Sequence, residues 1–300
     1  MEQAPKISET VYVVMCWIVG TPTQVSIRRE VADISDMLKK PVKPHGLRVM
    51  VSGSMREGFG RFASDIDFMV WLTDHHVLWD LNHIAKYNIK RCTLLLMECF
   101  ETPPGYALLQ LLPSTNNVVI QSCAGDTVIV SCEEKNDRIY ISSSKYRKMA
   151  ASLVKENPVQ HGPCMSGRDF YTKYEFAYCF ACRLWPSIAS AFTLRCRSQA
   201  WPPNPVLSDI ANSGCHVVPI GFKESPEEDL EWRISFSIAE QKLVYCMNHT
   251  QFMCYGLLKL FLKEVLTVED KTGQSLLSKI PLEIHSAITL HIHIGLLDEH

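Results

Sequence analysis

An α+β architecture is predicted by the order in which two hydrophobic rhythms occur along the 300 residues. Alternating, strand-like segments crowd the first three-quarters of the chain, and helical spacing dominates from about Ile238 onward. Apolar residues make up 47% and charged residues 21%, enough for a real core, so no long stretch is expected to be disordered. The expected division is a mixed-sheet N-terminal lobe over residues 1–237, entered by a long helix, and a helical C-terminal lobe over residues 238–300.

The helix is expected from about Ser8 to Lys40. Val25, Ile27, Val31, Ile34, Met37 and Leu38 recur at helical spacing, and Pro41 and Pro44 end it. The apolar run Val11 to Gly20 is about half a bilayer span, so it reads as a buried helix turn and no membrane partner is expected. A strand follows at Leu47 to Ser52, then a glycine-bearing loop, then a second strand from about Asp65. Further strands are expected at Asp126–Cys132 and Arg138–Ser143, flanking the turn-like Glu134-Lys-Asn-Asp137. A helix is expected at Lys145 to Lys155. Tyr171 to Cys182 reads as one strand with Tyr174, Phe176, Tyr178 and Phe180 on one side. After a short strand at Trp232–Ser237, helix is expected to about Leu266.

The formal net charge is −2, from 30 basic and 32 acidic residues, which argues against nucleic-acid binding by bulk charge. A local basic face is formed on paper by Arg28, Arg29, Lys39, Lys40 and Lys43. Glu30, Asp33 and Asp36 dilute it, so any affinity for double-stranded nucleic acid is expected to be modest. The start, Met1-Glu-Gln-Ala-Pro-Lys6, lacks a basic flank leading into an apolar core. Twelve cysteines in such a chain are expected to be reduced thiols in the cytoplasm or nucleus. Cys179-x-x-Cys182 has no second pair at matching spacing and reads as core rather than as half a zinc site.

The chemistry-bearing segment is Ser52-Gly-Ser-Met-Arg-Glu-Gly-Phe-Gly-Arg-Phe-Ala-Ser-Asp-Ile-Asp67. Asp65 and Asp67 stand two apart on a strand, so both carboxylates face one way with Cα atoms roughly 6.6 Å apart. That geometry suits two hard cations about 3.5–4 Å apart, each sharing phosphate oxygens of a substrate. The Gly53-Ser54 turn leaves backbone N–H groups free to hold a triphosphate. A third carboxylate is expected from a neighbouring strand. Glu175 is the candidate, because it interrupts an apolar strand opposite the aromatic face. An ion pair with Lys173, on the same side, explains Glu175 equally well.

These residues resemble the signature of cyclic GMP–AMP synthase and its Mab-21-like relatives. His161-Gly-Pro-Cys164, Trp185-Pro186, Trp201-Pro202 and Cys215-His-Val-Val-Pro219 are similar to segments of the same group. So is Glu231-Trp-Arg-Ile-Ser-Phe-Ser-Ile-Ala-Glu240, and Tyr255 to Glu264 resembles the helix that follows it. The likeness runs from about Ser8 to Val268. It implies a bilobal nucleotidyltransferase fold with an N-terminal spine helix and a helical C-terminal lobe. It implies an enzyme that senses a ligand and joins ATP and GTP into a cyclic dinucleotide messenger of innate immunity. By the same resemblance Asp65, Asp67 and Glu175 are the catalytic carboxylates and hold Mg²⁺, with Mn²⁺ as a substitute. Gly53, Ser54, Arg233, Ser235, Ser237 and Lys259 would contact nucleotide. Three departures stand out. Glu replaces the usual Asp at the third position. The His-and-Cys insert before Glu231 is absent, so no structural zinc is expected. Ser275 to Pro281 carries no aromatic where relatives stack a base. The departures suit a second reading, a catalytically inactive Mab-21-like nucleotide-binding or interaction protein.

Overall fold

The computed structural model describes residues 3–38, 46–60, 66–88, 92–112, 126–152, 159–168, 173–199 and 201–261. Asp65, Lys39, Lys40, Lys43 and everything after Phe261 lie outside them.

The expected entry helix is two helices, α1 (Gln3–Ile18) and α2 (Pro22–Leu38). The break falls at Gly20, whose φ of +111° a side chain would resist, followed by Pro22 at the first position of α2. The expected burial of the Val11 to Gly20 run is only partly met, and the apolar residues of α2 are largely exposed as well. Met15 of α1, Val19 just after it and Val25 of α2 are buried, while Val11, Tyr12, Val14, Ile27, Val31, Ile34 and Leu38 are exposed and Trp17 is 85% exposed. Helical spacing marks an apolar face; it does not say whether another element covers it. By length and composition alone Ser8–Leu38 is apolar enough to cross a membrane. The α2 half, however, is docked by its arginines, as described below.

Among the described residues the strands form two sheets. The first has the order β1 (Leu47–Ser52), β2 (Ile66–Leu72), β10 (Lys173–Tyr178), β9 (Cys164–Arg168), β8 (Val159–His161). The second joins β13 (Glu231–Ser235), β12 (Cys215–Val218), β11 (Phe180–Cys182), β3 (His75–Leu78), β4 (Thr93–Glu98) and β5 (Tyr106–Leu111), with β7 (Arg138–Ile141) and β6 (Cys132–Lys135) continuing from β5. Glu231, Trp232 and Arg233 pair a second time, with Leu108, Ala107 and Tyr106, and this closes six strands into a barrel.

The barrel overturns the predicted α+β bilobal nucleotidyltransferase fold with its helical C-terminal lobe: the chain is a mixed α/β fold built on a closed barrel and a flanking sheet. The cause is a pairing between segments over 120 residues apart, which no local rhythm announces. Trp232 sits at the centre of the closed core, fully buried with Val77, Leu95, Leu109, Phe180 and Val217, and its indole N–H donates to the Ile141 carbonyl at 2.7 Å. The described helices after residue 237, α8 (Ser237–Cys246) and α9 (His249–Phe261), share a core with the N-terminal helices. Val244, Phe252, Met253 and Tyr255 pack with Met15, Val19, Val25 and Phe59.

Two more expectations change. Asp126–Cys132 is helix α4 (Asp126–Ile129) followed by the start of β6, not one strand. Tyr171 to Cys182 divides at Cys179, whose N–H donates to the Val70 carbonyl. Its first half, β10, enters the flanking sheet and its second half, β11, the barrel. The divided strand carries Cys179 into the layer between sheet and barrel and Cys182 into the barrel core, so the Cys-x-x-Cys pair does not converge. The helix expected near Lys145 is α5 (Ser143–Ser152).

Candidate functional site

The site begins where β1 runs out of strand. Ser52 turns at Gly53, in the left-handed region at φ +67°, into the short helix α3 (Gly53–Glu57), which closes on Gly58 at φ +106°. β2 lies antiparallel to β1 with Asp67 opposite Ser52, and β10 lies parallel to β2 with Glu175 beside Asp67. Neighbouring strands stand about 4.8 Å apart, so the two carboxylates are side by side on one face. Phe68 and Phe176 occupy the other face, stacked at 5.0 Å between centroids.

The carboxylate face turns toward the barrel. Below Asp67 and Glu175 it is dry, with Met69, Ala177, Cys179 and Val218 buried together. Glu175 Oε1 accepts a hydrogen bond from Ser166 Oγ of β9 at 3.1 Å. Cys164, two residues before Ser166 on β9, reports both charges. Burial, then the Glu175 and Asp67 carboxylates, push its thiol up to about 12, while Arg233 pulls it back. Asp67, Glu175, Cys164 and Arg233 therefore share one electrostatic neighbourhood.

Gly53 is required twice. A Cβ there would stand 1.9 Å from Asp67 Oδ2, on a backbone that L side chains resist. Gly53→Ala is expected to cost about 1–2 kcal/mol from the backbone alone, plus the displacement of Asp67. The urea midpoint measures the sum. In an Asp67→Ala background the penalty should shrink, because the carboxylate is no longer in the way; an undiminished penalty would mean that the two residues do not touch.

Ser54 meets the far end of the described chain. Lys259 Nζ of α9 donates to Ser54 Oγ at 3.1 Å and pairs with Glu57 Oε2 at 2.6 Å. The ammonium also lies 4.7 Å from the Tyr255 ring centroid and 5.0 Å from that of Phe59. Tyr255 O–H shares the Glu57 carboxylate, and burial and that carboxylate raise its pKa. Arg56 is also buried, held by Asp33 at 2.5 Å and Asp36 at 3.2 Å and by Tyr245.

Of the residues expected to form the site, Gly53 and Asp67 are in contact, Asp67 and Glu175 in register, and Ser54 and Lys259 hydrogen-bonded. Asp65 lies outside the described residues. Arg233 is exposed on β13, Ser235 is half-buried opposite His216, and Ser237 opens α8 with its hydroxyl buried and unpartnered among the described residues. No hydrogen bond among the described residues joins Ser235 or Ser237 to the carboxylate pair. Glu57, Cys164, Ser166 and Tyr255 were not anticipated. Glu57 carried one signal: a charged pair, Arg56-Glu57, confined between Gly53 and Gly58.

The residues expected to form a basic face are partly used elsewhere. Arg28 donates to the carbonyls of Val19 (2.6 Å) and Gly58 (2.7 Å). Arg29 donates to those of Glu57 (2.9 Å) and Val244 (3.2 Å) and lies over the rings of Tyr245 and Phe252. These two guanidiniums bind α2 to the core, and burial lowers the pKa of both.

As a donor set, two carboxylates on one face, with a glycine cradle against one of them, suit a hard divalent cation. Among the described residues no group of three His, Cys, Asp or Glu side chains stands close enough to hold a metal by itself. No known protein-family model matches the chain.

Proposed function

We propose that this protein is a divalent-cation-dependent nucleotidyltransferase that joins ATP and GTP into a cyclic dinucleotide, in the manner its motifs resemble, on sensing a ligand such as double-stranded nucleic acid. The observation that carries the reading is the Asp67 carboxylate seated on the Gly53 turn and in register with Glu175. Magnesium bound there would neutralise phosphate charge. The protein's own part is positional. Asp67 and Glu175 would hold the cation, a role the resemblance also gives to Asp65. The Gly53-Ser54 backbone would face the phosphates, and Arg233 would supply positive charge to them. Ser166 fixes the rotamer of Glu175, and Asp67 is the group placed to accept a ribose hydroxyl proton.

A second reading, a nucleotide-binding protein without turnover, is supported by Lys259. Its ammonium is already neutralised by Glu57, so it brings less positive charge to a triphosphate than a free lysine would.

The test is incubation with radiolabelled ATP and GTP plus Mn²⁺, with and without double-stranded DNA or RNA. A cyclic product that falls about hundredfold or more in Asp67→Asn, at unchanged stability, is the expected result. Nucleotide binding with no product in any lane would replace the first reading by the second.

A further inference from the structure

Behind the strand that carries Arg233 and Ser235 lies a pocket with no part in the chemistry above. It sits between β13, α8 and α6 (Ser190–Gln199), and encloses about 270 Å³. Ile234 and Phe236 form its floor, and Trp185 and Phe192 its aromatic walls. Trp185 lies 5.2 Å from Phe236 and 5.9 Å from Phe192, centroid to centroid, so three rings converge without filling the space. Ile234 alternates along β13 with Arg233 and Ser235, which puts this part of the pocket floor on the reverse side of those two residues, while Phe236 and Ser237 lie at the start of α8.

Size and lining narrow the occupant. An apolar cavity of about 150 Å³ accommodates benzene, and drug-sized ligands need roughly 300–1,000 Å³. A pocket of about 270 Å³ therefore matches a fused two-ring molecule and is too small for the apolar face of a helix. The charged residues on its wall are one of each sign, Arg195 and Glu240, so no net field selects an ion. Three rings offer faces and edges for offset stacking. We infer that this pocket is a binding site for a small, neutral, two-ring aromatic molecule. Its floor shares the strand β13 with Arg233 and Ser235.

Indole is the probe. Calorimetric titration of the full chain with indole should give saturable binding at one site, and indole should raise the melting temperature. Two variants fill the space from different walls: Ala239→Leu from the buried side and Ala191→Leu from an exposed position. Each variant that keeps the native circular dichroism spectrum should bind indole at least tenfold more weakly. Ala191→Leu, being at the surface, secures that comparison if Ala239→Leu does not fold. Absence of saturable binding to the native chain overturns the inference. So does a folded filling variant that binds as well as native. Neither result depends on nucleotide turnover, so the pocket and the proposed function stand or fall separately.

Discussion

Lys259→Met is expected to destabilise the protein by about 3 kcal/mol, the lower end of what removing one partner of a buried ion pair costs. Glu57 is the reason. Its side chain is 8% exposed, and its carboxylate is held by Lys259 Nζ at 2.6 Å and by the longer contact from Tyr255 O–H at 3.3 Å. Lys259 itself is 33% exposed and can be replaced by Met without loss of helix propensity. What the substitution removes is the ammonium that faces this buried carboxylate beside Tyr255. Adding Glu57→Gln should recover most of the loss, because a neutral amide of the same shape no longer needs one and still accepts from Tyr255. Urea midpoints at constant slope measure both steps. A single variant within about 0.5 kcal/mol of native, the ordinary range for surface changes, would show that the pair does not hold α9 to α3. A double variant no more stable than the single would place the cost in packing instead of charge.

Acid should begin to weaken the protein before its carboxylates titrate. His76 of β3 and His216 of β12 both lie opposite Ala181 of β11, side by side across three barrel strands. They are buried at 7% and 1% exposure, against the rings of Tyr87 and Trp71 respectively. The Nδ1 of each is buried without a hydrogen-bond partner among the described residues. Burial lowers the pKa of both to about 4, aided at His76 by the charge of Arg183. The unfolded chain takes up these protons near pH 6.5 and the folded chain only near 4. Their stabilising contribution is therefore full above pH 6.5 and declines as pH falls from 6.5 through 4. The loss reaches on the order of 3 kcal/mol for each histidine, against a total stability of about 5–15 kcal/mol for an ordinary domain. The window between pH 6.5 and 5 isolates them, because carboxylates titrate mostly below it. His216→Phe should flatten the fall of the urea midpoint in that window by about half. An unchanged slope would mean that His216 is protonated, or hydrated, in the folded protein.

Much of the candidate site was legible because it is local. Gly53-Ser54 sits at a strand end and Asp67 on the following strand, and the antiparallel pairing of β1 with β2 then sets Asp67 opposite Ser52. Glu175 could be nominated as an acidic break in an apolar strand, but two readings of it stood level. The parallel register with Asp67 and the bond from Ser166 fix where its carboxylate sits, and both depend on β9 and β10 lying where only the folded sheet puts them. Glu57 was hidden for a related reason: a charged residue in a surface-like tetrad becomes buried only when α9, some 200 residues later, lays Tyr255 and Lys259 over it.

Composition and periodicity placed β1, β2, β7, β13 and α5 close to where they form, and set Asp67 on the strand that follows the Gly53 turn. The tertiary structure alone decided that β13 turns back on β5 to close a barrel around Trp232, that one aromatic strand serves two sheets, and that most of the apolar surface of α1 and α2 stays exposed. The division has a physical cause. Periodicity records which face of an element is apolar, within a few residues. Which partner that face meets is a long-range choice, set by register, closure and the burial of a few large side chains.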